Sequence, residues 1–408
     1  MADRKDLRVG RVGKALPPFG VDFVNVEALS GIVVLLAAVL ALVWANVDAA
    51  SYLSVWHHHL DLSFGPFDLD LSRAHWVTDG LMTLFFFVVG LEIKREVVRG
   101  ELRDRRTAAL PVIAAIGGMV VPAALFLAVN AGEPTAKGWA IPMATDIAFA
   151  IGVLAILGSR VPRSLKLFLL TLAIVDDIGA IVVIALFYSN GIAFGWLAAA
   201  VGVVASIVLM QRLRVGSPWA YVVPAFALWL FVDQSGVHAT IAGVVLGLLT
   251  PARPFGGKQV IEGLEHRLHP WSSFAVVPLF ALANAGIVID SDSISRAASS
   301  SVALGVVLGL VIGKPVGITL ATWIGTRLRI GQLPDGIGWR HVAGAGAVAG
   351  IGFTVALFVD DLAFAGPTFD DAVLGILAGS LVSGIIGAVI LGTGRAARGA
   401  AHSAAEGP

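Results

Sequence analysis

Leu172-Ala173-Ile174-Val175-Asp176-Asp177-Ile178-Gly179-Ala180 sets two adjacent carboxylates in the middle of an apolar run, 164–188. As a helix this run is long enough to cross the ~30 Å hydrocarbon layer of a bilayer. An acid inside such a span costs about 2.5–3.5 kcal/mol on insertion scales, so a pair of them needs a functional reason. Successive helix residues point about 100° apart, so one carboxylate faces a cavity while the other faces a neighbouring helix. Two carboxylates this close repel, and burial disfavours charge. Such a group takes up a proton or a hard cation in competition, which is the physical core of an exchanger.

The other ionisable residues in apolar runs work outward from this pair. Asp146 lies in Ala140-Ile141-Pro142-Met143-Ala144-Thr145-Asp146-Ile147-Ala148-Phe149. Pro142 removes a helix hydrogen bond and crowds the turn before it, and Thr145 and Asp146 are good caps for a helix that restarts. The span is expected to break near its middle, with freed backbone groups lining a wet cavity. Lys314, in Val311-Ile312-Gly313-Lys314-Pro315-Val316-Gly317-Ile318, sits about a dozen residues into its span. It is too deep to snorkel and must pair or lose its proton. Asp176 and Asp146 are the available counter-charges, and such a pair can release a proton as a cation arrives. Ion pairs that merely pack the bundle are the weaker reading, because burying charge serves stability poorly. Gly344, Gly346, Gly350 and Gly352 precede Phe353-Thr354. Their low helix propensity allows a second break there, with close helix packing as the alternative.

The whole chain reads as an all-α integral membrane protein. Of its 408 residues 57% are hydrophobic and only 14% charged, against about 25% charged for soluble domains. Spans are expected at 25–46, 75–94, 108–129, 139–158, 164–188, 192–211, 219–232, 237–250, 270–287, 302–326, 340–359 and 371–392. These form one transporter domain, 25–392, between tails 1–24 and 393–408. Arg4, Lys5, Arg8, Arg11 and Lys14 suit a cytoplasmic tail rather than a signal peptide, since no small-residue cleavage site follows the first span. With that tail inside, 24 of the 28 Lys and Arg fall on the inner side. Arg73, Lys137 and Arg296 fall outside and Lys314 within a span. The positive-inside rule thus fits both termini in the cytoplasm. Spans three to five and ten to twelve start on opposite sides, each group centred on an interrupted span, as in inverted-repeat transporters. The link 47–74 contains His57 to Phe64, Gly65-Pro66, and Phe67 to Leu71, an alternation that suits a β-hairpin on the outer membrane surface.

At these residues the chain resembles the NhaA-type sodium/proton antiporter family of the bacterial cytoplasmic membrane. The likeness is carried by Val89-Gly90-Leu91-Glu92-Ile93-Lys94-Arg95-Glu96, Ser235-Gly236-Val237-His238-Ala239-Thr240 and Leu264-Glu265-His266-Arg267-Leu268-His269-Pro270-Trp271. It is carried also by 111–122, 138–162, 173–188, 280–286, 313–318 and 350–353. The resemblance implies that Asp176 and Asp177 carry Na+ and protons, Asp177 as direct cation ligand and Asp176 as partner of Lys314. Thr145 and Asp146 match the broken-helix position that shapes the cation site. It further implies electrogenic exchange, acceptance of Li+, activation at alkaline pH, and a homodimer formed through a hairpin like 57–71. Glu92, Glu96 and Glu265, with His238, are placed in pH activation. Glu92 and Glu96 are one turn apart at an inner helix end, Glu265 is expected on a nearby loop, and His238 has a suitable titration range.

Three rival readings fit less well. A sodium-coupled solute symporter of the same architecture needs a roomy polar pocket. A channel needs a filter or rings of like residues, and none is visible. A membrane enzyme needs a nucleophile–base pair or a metal-ligand motif in a span. No Gly-rich nucleotide loop appears, zero net charge suggests no nucleic-acid partner, and nothing calls for a cofactor beyond the transported ions.

Overall fold

The computed structural model describes residues 21–63, 69–189, 191–252, 254 and 259–393, with 21–25 as backbone alone. The basic residues of the expected N-terminal tail, the C-terminal tail from 394, and the hairpin tip 64–68 lie outside the described residues.

The apolar runs fold as helices because a chain in lipid must satisfy its own backbone groups. In chain order they are α1 (Val21–Val47), α2 (Arg73–Val98), α3 (Arg105–Val129), the 3₁₀ helix α4 (Pro134–Met143) and α5 (Ile147–Leu157). Next come α6 (Arg163–Phe187), α7 (Phe194–Arg212), α8 (Val222–Gln234), α9 (Thr240–Leu249) and α10 (Val260–Trp271). A π turn leads from α10 into α11 (Val277–Asn284). The last are α12 (Ser301–Arg327), α13 (Trp339–Ala349), α14 (Phe353–Ala363) and α15 (Pro367–Gly392). Among the described residues eight runs are long and apolar enough to cross a membrane, α4 and α5 together counting as one. The pair α13 and α14, bent by 47° at its break, makes a ninth. The expected twelve are therefore not reached by length and composition alone: α8 and α9 are short, and α10 is polar. Outward faces are apolar, with Ile32, Leu36 and Leu40 of α1 and Val201 and Leu209 of α7 all exposed. That is a surface made for lipid.

Two local departures shape the interior. Pro315 has no N–H to give and crowds the carbonyl one turn back, and α12 widens into a π turn at Gly309–Gly313 just before Lys314. Helices α2 and α9 approach at two glycines, where a Cβ on Gly247 would lie 2.7 Å from Gly90 Cα. Only glycine lets backbones come this close.

The link 47–74 is more structured than its alternation suggests. Asp48 accepts from Ser51 N–H at 2.9 Å and starts a helix, Ala49–Trp56, that the sequence reading missed. Beyond it two short strands, His59–Asp61 and Asp70–Ser72, pair antiparallel with Leu60 opposite Leu71.

Candidate functional site

Two chain breaks meet in the middle of the bundle. Between α4 and α5 the backbone runs extended at Ala144 and Asp146, and between α13 and α14 it opens at Gly350–Gly352. Asp146 ties the two together. Its N–H donates to the Ile351 carbonyl at 2.7 Å. Its Oδ1 accepts from Phe149 N–H at 3.2 Å, capping α5. Its Oδ2 accepts from the N–H and hydroxyl of Thr354, at 3.1 and 2.5 Å, capping α14. One carboxylate thus satisfies free N–H groups at two helix starts and offsets the positive ends of both.

Thr145 makes the second tie. Its hydroxyl donates to the Ala349 carbonyl at 2.8 Å and accepts from Lys314 Nζ at 2.9 Å. The ammonium also donates to Asp176 Oδ2 at 2.5 Å. Both partners are buried, Lys314 at 0% and Asp176 at 1% exposure, so this charge pair replaces water on both sides.

Asp177 is placed differently. It accepts no hydrogen bond from any described residue. It lines a cavity with about 80 Å³ open to water, together with Thr145, Asp146, Glu92 and Thr354. The adjacent carboxylates diverge as helix geometry requires: Asp176 faces α12, Asp177 faces the cavity.

A family model described as Na+/H+ antiporter 1 matches residues 21–391. The chain belongs to this family. A relative from Myxococcus xanthus, Na(+)/H(+) antiporter NhaA 2, is 46% identical over 94% of this chain and 92% of its own length. Na(+)/H(+) antiporter NhaA of an Anaeromyxobacter species is 46% identical over 90% of each. The NhaA protein of Shewanella loihica is 45% identical over 90% of this chain and 95% of its own.

In this antiporter-family chain the cavity extends from Asp177 to a charged cluster at the basic end of α2. Arg95 pairs with Glu96 at 3.1 Å and with Glu265. Glu265 lies on the helix α10 rather than on a loop, because 260–271 is amphipathic and packs one face on α2. Two groups passed over in the sequence join it. His269 Nε2 lies 2.7 Å from Glu27 Oε1 and 4.0 Å from Glu92. Glu27 carried a legible signal, being itself a charge inside the first apolar run. Thr354, a further residue whose role the sequence did not show, had no signal beyond its place after the glycines. His238 is not part of this cluster. Its Nε2–H donates to the Tyr188 carbonyl at 2.8 Å, near His75, and seventeen helical residues from His75 to Glu92 span about 25 Å.

Burial pushes the Glu265 carboxyl up, against the pull of the Arg95 guanidinium. Burial acts against a charged His269, but the hydrogen bond and charge of Glu27, with Glu92 and Glu265, outweigh it and raise this imidazole above its ordinary value. A group raised in the folded state stabilises it below the unfolded pKa and loses that contribution as pH rises through the folded one. The His269–Glu27 contact is therefore intact below about pH 6.5 and weakens on the alkaline side.

Two predictions arise here. Lys314→Leu strands a buried charge on Asp176 and is expected to cost about 3–5 kcal/mol, read from reversible unfolding in detergent. The double variant Lys314→Leu/Asp176→Leu should recover most of that loss, and plain additivity would contradict the pairing. His269→Gln should flatten the alkaline fall in thermal midpoint measured from about pH 6 to 9, and an unchanged fall would place its cause elsewhere.

Proposed function

We propose that this chain exchanges Na+, or Li+, for protons electrogenically, with Asp177 as the group for which the two ions compete. The observation that carries the reading is a division of labour among three buried carboxylates. Asp146 is held by two helix starts and Asp176 by Lys314. Asp177 alone of the three has free oxygens toward water in the cavity. A hard cation needs oxygen ligands, and Asp177 with Thr145 and the freed carbonyls of the crossing offers them; Asp176 joins when Lys314 lets go. Because Lys314 loses its partner at that moment, it sheds a proton, so more positive charge moves one way as protons than returns as Na+. The names of the relatives point the same way.

The remaining architecture follows from the same reading. Helices α8 and α9 and the run 270–287 supply the spans beyond nine, giving twelve and both termini on the cytoplasmic side of the bacterial inner membrane. The groups 108–188 and 302–392 are then inverted repeats, each contributing one interrupted span to the crossing. The Glu92–Arg95–Glu96–Glu265 cluster with Glu27 and His269 lies at the cytoplasmic mouth of the cavity, and its loosening with rising pH favours ion entry. His238 acts at the other face. The paired strands at 59–61 and 70–72 lie outside the membrane, where a second copy extends them into a dimer.

The test is a vesicle assay. Purified protein is sealed into vesicles with an acid interior, and NaCl, LiCl or KCl is added outside at about pH 6.5 to 8.5. Na+ and Li+ should dissipate the proton gradient, K+ should not, and Asp177→Asn should be inactive. Exchange by Asp177→Asn at the wild-type rate would remove the proposed site.

A further inference from the structure

The outer half of the interrupted span holds a carboxylate that this exchange scheme leaves unused. Asp360 lies in the last turn of α14 and has no exposed surface (0%). Neither of its side-chain oxygens has a hydrogen-bond partner. It sits six residues past Thr354, about 9 Å further out along the helix.

No neighbouring element supplies a compensating charge among the described residues. On its own helix Asp361 adds negative charge, and on α15 Asp370 does the same. Asp371 is engaged by Arg296 at 2.8 Å. Tyr188, at the end of α6, is near enough to feel Asp360, but its hydroxyl donates to the Lys137 carbonyl at 2.7 Å. The Lys137 ammonium instead lies over the Phe364 ring, 5.4 Å from its centre. Helix α11 brings no titratable side chain. The carbonyl end of α14 adds further negative potential. A buried carboxylate in such surroundings is kept by neutralising it, and a proton is the smallest neutraliser.

Beyond Asp360 a run of acids leads to an exposed histidine. Asp361 is half-buried and close enough to act on Asp79. Asp79 also feels Asp233 and lies 3.7 Å from His75, whose side chain is 60% exposed. Inward, Phe358 packs against Phe86 and Phe280 with ring centres 5.1 and 6.2 Å apart. Phe358 shares a helix face with Thr354, four residues back. Phe358 thus stands between Asp360 and Thr354 along α14.

We propose that Asp360 is a proton-carrying residue of the transport cycle, protonated while the outer path is closed and in exchange with outer water by way of Asp361 and Asp79. In the releasing step the carboxyl O–H bond breaks as a water lone pair takes the proton; the reverse step reloads it. The proposal rests on the exchange reading above, supplying that reading with its outer proton path.

Two measurements test it. Asp360→Asn, Asp360→Leu and Asp360→Glu are compared with wild type in the vesicle assay, after confirming that each keeps its thermal midpoint. Exchange should slow at least about tenfold in the Asn and Leu variants, with a flattened dependence on outside pH, and recover in the Glu variant. Wild-type rates and pH profile in both neutral variants overturn the proposal. Infrared spectra read protonation directly. A component of the protonated-carboxyl absorption of wild type at neutral pH should be lost in Asp360→Asn, and absorption unchanged by the substitution also overturns the proposal. If wild type itself exchanges no protons for Na+, the exchange reading fails, while the infrared band still decides whether Asp360 holds a proton.

Discussion

A single buried carboxylate holds the crossing on which the site is built. Asp146 accepts at two helix starts, one directly after it and one 208 residues later in the chain. Each start presents N–H groups that lipid cannot satisfy, so Asp146 lowers the cost of both breaks. Thr145 adds the return contact to the Ala349 carbonyl. The two breaks thus hold each other in place, and Thr145, Asp146 and Thr354 from them line the cavity beside Asp177.

Once Asp146 is committed to the backbone, the remaining charges sort themselves by partner. Lys314, fully buried, must find an anion, and Asp176 lies on the helix face that points to it. Asp177, one residue on, is turned about 100° away into water. Neighbouring acids then have unlike surroundings: one is part of an ion pair, the other lines the cavity. The same logic extends along the cavity to Glu92, Glu27 and His269, where partly wet charges sit close enough to retune one another.

Much of this was legible in the sequence because a charge in an apolar run is costly wherever it is placed. That cost picked out Asp146, Asp176, Asp177 and Lys314 without any knowledge of their partners. Pro142 followed by Thr145-Asp146 marked the first break. Sequence order could not give the long-range partners: nothing in Phe353-Thr354 says that its hydroxyl meets Asp146. Glu27 was legible as a charge in the first apolar run, but its pairing with His269 became visible only when α1 and α10 were side by side. The helix Ala49–Trp56 was hidden by its brevity, with Asp48 as its one local sign. Asp360 stood at the end of a span, where an acid looks solvated, and only packing shows that it is not.

The claim at the centre is that one carboxylate holds either a proton or a sodium ion. Calorimetric Na+ binding to the detergent-solubilised protein, in buffers of different ionisation enthalpy, measures both affinity and the protons displaced. Binding should release protons, weaken up to about tenfold per pH unit for each proton displaced as pH falls, and disappear in Asp177→Asn. Sodium affinity that is independent of pH, with no proton release, would contradict the account.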